Sequence, residues 1–221
     1  MNELRVVQPR QARSRATMER ILVAVEELLA EKPFDQITIA EISARAESAP
    51  TAIYARFSDK TALLLAVHER FKKRNLDKIF ESLGERAELP PREFLAFAAG
   101  ELVRVYRDNH RLLRSVLLAD NATMYARVHD LGCAILSVIT QRVSPPPERE
   151  RDLDFAVRTA LALLQQRLLF GAQAPTRFDY DDDELTERIT RLLADACGPA
   201  VAGHAGARDR RHVAERTPAS G

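Results

Sequence analysis

The chain's five histidines, at positions 68, 110, 129, 204 and 212, show no HExxH or other metal-ligand spacing. His68 is followed only by Glu69, Arg70 and Phe71. No G-x-S-x-G turn, phosphate-cradling glycine loop or paired cysteines accompany them. Neither catalysis, a metal nor a cofactor is therefore expected. The groups between positions 38 and 60 suit recognition instead: Thr38, Thr51 and Tyr54 bring hydroxyls, and Arg56 and Lys60 bring positive charge. A hydroxyl, the open amides of a helix start and a lysine beside a helix N-terminus all match the chemistry of a phosphate.

These groups need elements to hold them, and the local signals are strong. Thr38-Ile39-Ala40-Glu41 fits a capping box, and Ile37 and Ile42 stand where a hydrophobic staple would close. A short helix is expected from Ile39 to about Ala46. After a break at Glu47 to Ala49, Pro50 sits where the first turn of another helix tolerates proline. That second short helix puts Ile53 and Phe57 on one face and Thr51, Tyr54 and Ala55 elsewhere. Before it, a helix from Ser14 carries Met18, Ile21, Leu22, Val25, Leu28 and Leu29 as one buried stripe and stops at Lys32-Pro33. Ser58-Asp59 caps a fourth helix, with Leu63, Leu64, Val67 and Phe71 inside.

Composition points the same way. Hydrophobic residues make up 46%, Trp is absent and Gly occurs only 8 times, so helix formers dominate and the expected fold is all-α. The net charge of +1 hides an asymmetry. Arg5, Arg10, Arg13, Arg15 and Arg20 crowd the N-terminal arm, whereas Asp179 to Glu184 is almost entirely acidic. No secretory leader opens the chain, and the uncharged stretch Leu131 to Gln141 is too short to span a bilayer. A cytoplasmic protein without membrane contact is expected, with Cys133 and Cys197 as reduced core thiols.

Thr38-Ile39-Ala40-Glu41-Ile42-Ser43 and Ala49-Pro50-Thr51-Ala52-Ile53-Tyr54-Ala55-Arg56-Phe57-Ser58-Asp59-Lys60 together resemble the TetR family of repressors. The shared pattern is an N-cap Thr, an Ile-Ala pair, a turn, then a recognition helix ending in Tyr-x-x-Phe with Lys soon after. The resemblance spans roughly 14–75 and implies a helix-turn-helix that enters the major groove of double-stranded DNA. It implies phosphate contacts for Thr38, Tyr54 and Lys60. Thr51 and Tyr54 face away from Ile53 and Phe57, so they are open to DNA; Pro50, Ala52 and Ala55 share that short segment. Two readings stay open for Arg56: a phosphate or guanine contact, and a solvated surface side chain. Three departures from the family pattern stand out. Glu47-Ser48-Ala49 replace the usual Gly-Val-Ser, Ala49 gives up a capping hydroxyl, and Arg56 replaces His or Tyr. Glu47 must then take a left-handed conformation that glycine adopts more readily.

The expected domains are a basic arm over 1–13, the DNA-binding domain over 14–75, a helical regulatory and dimerisation domain over 76–198, and a disordered tail over 199–221. Helices are expected at 92–108, 110–119, 121–142, 149–170 and 183–197, separated by proline and glycine breaks. One stripe of Leu153, Val157, Leu161, Leu164 and Leu168 and another of Leu185, Ile189 and Leu192 serve either a core or an interface. The resemblance favours an interface, a four-helix bundle in a homodimer whose reading helices meet the half-sites of a near-palindromic operator. Phe94, Phe97, Tyr106, Met124 and Tyr125 either pack the core or line a cavity for a small apolar or aromatic effector. The implied function is a repressor released by that effector. The rival readings are a DNA-binding regulator that is constitutive or controlled by a protein partner, and, more remotely, an all-helical enzyme.

Overall fold

Every regular element of the computed structural model, which describes residues 9–119, 122–171 and 177–202, is helical. The helices are α1 (Pro9–Glu31), α2 (Ile39–Arg45), α3 (Pro50–Tyr54), α4 (Lys60–Glu85), α5 (Pro91–Asp108), α6 (His110–Leu118), α7 (Ala122–Val143), α8 (Glu150–Phe170), α9 (Asp182–Cys197) and α10 (Pro199–Ala202). Two short 3-10 turns, Phe34–Gln36 and Pro147–Arg149, precede α2 and α8. The described residues contain no strand. The expected long helices agree with α5 to α9 to within one residue at each end; Pro91, Pro145 to Pro147, Gly171 and Gly198 mark about half of these limits.

Two starts and stops differ from expectation. Helix α1 begins at Pro9, ahead of Ser14. A proline costs nothing at a first helical position, since no intrahelical partner awaits its missing N–H. Residues 1–8, and the side chains of Arg10 and Arg13, lie outside the described residues. At the other end, Pro199–Ala202 form α10 with Val201 buried, so ordered structure passes the expected limit at 198. Positions from 203 onward lie outside the described residues.

The chain forms two compact units, one comprising Met1–Lys78 with Tyr106–Met124 and the other Ile79–Val105 with Tyr125–Gly221. Helix α4 passes unbroken through position 75, since no proline interrupts the sequence before Pro90. In the first unit, Ile21, Leu22, Val25, Leu28 and Leu29 of α1 meet Ile37, Ile42, Ile53, Phe57, Leu63, Leu64, Val67 and Phe71 in one core. Met18, expected in the α1 stripe, is 39% exposed. Arg70 and Arg74 of α4 bond Glu19 and Glu26 of α1 at 2.9 and 3.1 Å. Helix α6 packs on α1 through Leu112 and Val116, and Arg111 donates to the carbonyls of Leu29 and Ala30, which α1 leaves unpaired at its C-terminus.

In the second unit, α8 and α9 pack along a continuous apolar seam. Leu153, Val157, Leu161, Leu164 and Leu168 of α8 and Leu185 and Ile189 of α9 are all buried within the single chain, Leu161 against Gly132 of α7. These stripes, expected to serve either a core or, by the resemblance, a dimer interface, are buried within the single chain; only Leu192 of that set keeps partial exposure. The reason is the spacing itself, which makes one face of each helix apolar without specifying what covers it. Gly171, at φ 64°, ends α8, its N–H donating to Arg167 at 2.9 Å, and Asp181 caps the N–H of Glu184 at 2.8 Å to start α9. Arg167 then ties α8 to Asp182 at 3.0 Å. The cysteines diverge: Cys197 is buried, and burial pushes its thiol up to about 11, but Cys133 is exposed and not a core thiol. Leu164→Ala should lower unfolding free energy by about 2–5 kcal/mol, measured by urea denaturation. A loss below about 1 kcal/mol would deny Leu164 its place in the core.

Candidate nucleic-acid interface

The site is built from two helices too short to stand alone, so their ends and buried faces decide its geometry. At the start of α2, Thr38 Oγ1 accepts from the Glu41 N–H at 3.2 Å, and Glu41 Oε2 accepts from the Thr38 N–H at 2.8 Å. The expected capping box is thus closed in both directions. Lys32 Nζ joins the other Glu41 oxygen at 2.5 Å. That bond, with those from Thr38, holds the Glu41 carboxyl down at about 2. Ile37 and Ile42, the staple positions, are 1% and 0% exposed.

The turn out of α2 carries the strain its sequence implies. Glu47 has φ 47°, the left-handed region in which a side chain crowds the backbone. Around it the Ser48 N–H reaches the Ser43 carbonyl at 3.0 Å and the Glu47 N–H reaches Ala44 at 3.4 Å. This is the paired-bond ending that helices usually complete with glycine. Ser48 does not replace the missing cap of α3; its hydroxyl donates back to the Ala46 carbonyl at 3.1 Å. Ala49 precedes α3 without any side-chain cap, and Pro50 sets the first turn by its fixed φ.

Helix α3 turns Ile53 inward at 1% exposure, with Phe57 just beyond it at 5%. The opposite face follows from that anchoring. Pro50, Thr51 and Ala55 are exposed, Tyr54 is 58% exposed and Ala52 is half-buried. Thr38 is exposed at the head of α2. These are the expected contact residues that the fold leaves facing outward.

The cations behave differently. Lys60 Nζ donates to the carbonyl of Phe34 at 2.9 Å and to that of Asp35 at 3.4 Å, and it stands 4.8 Å from the Phe34 ring centre. Burial pulls its pKa below the ordinary lysine value. Arg56 is half-buried, donating to the Ala52 carbonyl at 2.7 Å and to Ser14 Oγ at 3.3 Å, so it braces α3 against α1. Neither of the two readings left open for Arg56 included this brace. Arg45 bonds Glu31 and Glu27 of α1 at 2.9 and 3.5 Å, and Arg20 donates to the Ala46 carbonyl at 3.3 Å. Most of these partners are backbone carbonyls or side chains remote in sequence, which leave no trace in local spacing, so the bonds escape a motif reading.

Of the residues expected around an effector, Phe94 is 1% exposed in the second unit, with the Arg142 guanidinium 5.4 Å from its ring centre. Phe97 is half-buried beneath Arg86, at 4.2 Å. Tyr106 is buried in the first unit, and the side chains of Met124 and Tyr125 lie outside the described residues. No cluster of three or more His, Cys, Asp or Glu side chains suited to a metal occurs among the described residues. No described helix is long and apolar enough to cross a membrane.

Residues 21–67 match the model of the family described as bacterial regulatory proteins, tetR family. The whole fold is similar to a TetR-family transcriptional regulator from Streptomyces coelicolor, at a TM-score of 0.57 and 18% identity, covering 81% of this chain and 78% of that one. It is also similar to a putative TetR-family regulator from Mesorhizobium loti, at 0.56 and 16%, covering 86% and 97%. A TetR-family regulator from Rhodococcus sp. RHA1 gives 0.53 and 22%, covering 83% and 97%. No curated protein matches the chain in sequence. These likenesses agree with an N-terminal helix-turn-helix followed by a helical domain.

The strain at Glu47 yields a test. Glu47→Gly should stabilise the protein by up to about 1 kcal/mol, since relief of the left-handed strain outweighs the added chain entropy. Thermal unfolding of the two proteins side by side measures this; an unchanged or lower melting temperature would mean that the turn is unstrained.

Proposed function

We propose that this chain is a TetR-family transcriptional regulator whose DNA-binding segment includes the matched residues 21–67, and that it acts by seating α3 in the major groove of an operator. One observation carries the reading: burial of Ile53 and Phe57 fixes α3 so that Thr51 and Tyr54 project outward together. A hydroxyl on each suits a base edge or a phosphate oxygen, and Pro50, Ala52 and Ala55 keep the helix surface low enough for close approach. Thr38, at the head of α2, adds a further hydroxyl for the backbone. Lys60 reaches a phosphate only by exchanging its carbonyl partners, and Arg56 acts by holding α3 in place.

The reading extends to a homodimer on a near-palindrome. With the α8–α9 seam occupied internally, the outward face of α8 is the surface left for a second copy. Phe155 and Phe170 are 66% and 58% exposed there, and Thr159 and Gln166 lie between them at helical spacing. A two-fold axis would set the two α3 helices one DNA turn apart, about 34–36 Å. Repression and its release by a small apolar effector follow the plan of the family. Such an effector must bind the DNA-incompetent conformation more tightly than the competent one.

Selection of bound sequences from a random DNA pool tests the reading directly, with a near-palindrome as the expected result and no enrichment as the refuting one. On the selected site, Tyr54→Ala should weaken binding about tenfold at fixed salt, roughly 1.4 kcal/mol, without moving the melting temperature. Equal affinity by fluorescence anisotropy would remove Tyr54 from the interface. Phe155→Glu should shift the light-scattering mass from dimer to monomer; an unchanged mass would place the interface elsewhere.

A further inference from the structure

The two cysteines sit in opposite surroundings, and the exposed one has company. Cys133 Sγ on α7 lies 3.5 Å from His129 Nε2, one helical turn earlier. Both side chains open onto a recess of about 260 Å³ between α7 and α8. Its apolar wall is Val157, Leu161 and Ala162, and its polar rim is Asp154, Arg158 and Gln165, with Arg158 bonded to Asp154 at 3.3 Å. Gly132 lies in the same wall, packed by the Leu161 side chain. None of these groups belongs to the surface proposed for DNA.

We propose that Cys133 is a thiol modification site that takes small apolar α,β-unsaturated carbonyl compounds, with His129 as its base. Thiolates rather than thiols attack carbon, and an imidazole at hydrogen-bonding distance can take the proton. With His129 protonated on Nδ1, the Cys133 S–H donates to Nε2 and passes its proton there. The sulfur electron pair then bonds to the β-carbon of the enone. The C=C pair shifts to leave an enolate, and its α-carbon takes the proton back from His129. The product is a thioether; nothing is oxidised and nothing leaves. The apolar wall suits the carbon skeleton, and the side-chain N–H of Gln165 suits the carbonyl oxygen, Arg158 being engaged by Asp154. A recess of this size, just below the range of drug-sized pockets at about 300 Å³, selects a single small ring.

Cys197 provides an internal control, being buried with its thiol pushed up to about 11. The test incubates the full-length protein with 2-cyclohexenone and follows intact mass and peptide maps over time. Expected is a single adduct on Cys133, none on Cys197 until the chain is unfolded, and none on Cys133→Ser. His129→Gln, an exposed position, should slow addition about tenfold or more with an unchanged melting temperature. Addition to the native protein no faster than to glutathione would overturn the proposal. So would equal rates with and without His129, or equal labelling of both cysteines.

Discussion

A helix of five residues has almost no stability of its own, because nucleation alone costs more than so few backbone bonds return. Helix α3 therefore exists through the burial of Ile53 and Phe57 in the core of the first unit and its packing on α2. Every other feature of the interface depends on that pair of contacts. They choose which face of α3 is hidden, and so which side chains are presented. They also fix the point from which the chain must return to start α4, where Asp59 caps the Ala62 N–H at 2.7 Å. A capping box in front and a capped helix behind hold the two ends, leaving the left-handed turn at Glu47 as the strained link between them.

The positive charges of this region serve the protein before they serve a ligand. Lys60 ties the start of α4 to the turn ahead of α2, Arg56 ties α3 to α1, and Arg45 and Arg20 tie α2 and its following turn to α1. Each joins elements that are distant in sequence. The planar fork of arginine suits such work, since one guanidinium satisfies two acceptors with fixed geometry. The outward face of α3 is consequently one of hydroxyls and small side chains, framed by cations that already hold partners.

Much of this was legible in the sequence for a physical reason: where both partners of an interaction lie within one helical turn, spacing alone identifies it. Thr38 with Glu41, Pro50 at the head of α3, Asp59 at the head of α4 and the left-handed Glu47 are all of that kind. Proline and glycine breaks placed the start of α5, the end of α7, both ends of α8 and the end of α9 equally well. Contacts between remote segments were not legible. Lys60 finds carbonyls at Phe34 and Asp35, and no side-chain pattern marks a carbonyl. The Leu164 stripe showed that a face of α8 is covered, but a seam with α9 and a seam with another subunit require the same residues. The run around Cys133 misled for a third reason. Between Leu131 and Ile139 apolar residues lie on all sides of α7, so hydrophobicity names no inner face, and only Ile139 is buried there.

The internal partners of Lys60 and Arg56 bear on how the protein would respond to its ionic surroundings. The fall of DNA affinity with added salt counts the ions released when protein cations neutralise phosphates. An arginine that keeps serving a carbonyl and a serine hydroxyl releases none. A lysine that must first leave two carbonyls releases its share only in complexes where that exchange occurs. Counting basic residues between 38 and 60 would thus overstate the salt slope. Discrimination carried by hydroxyls and shape would persist at ionic strengths that strip a protein relying on free cations.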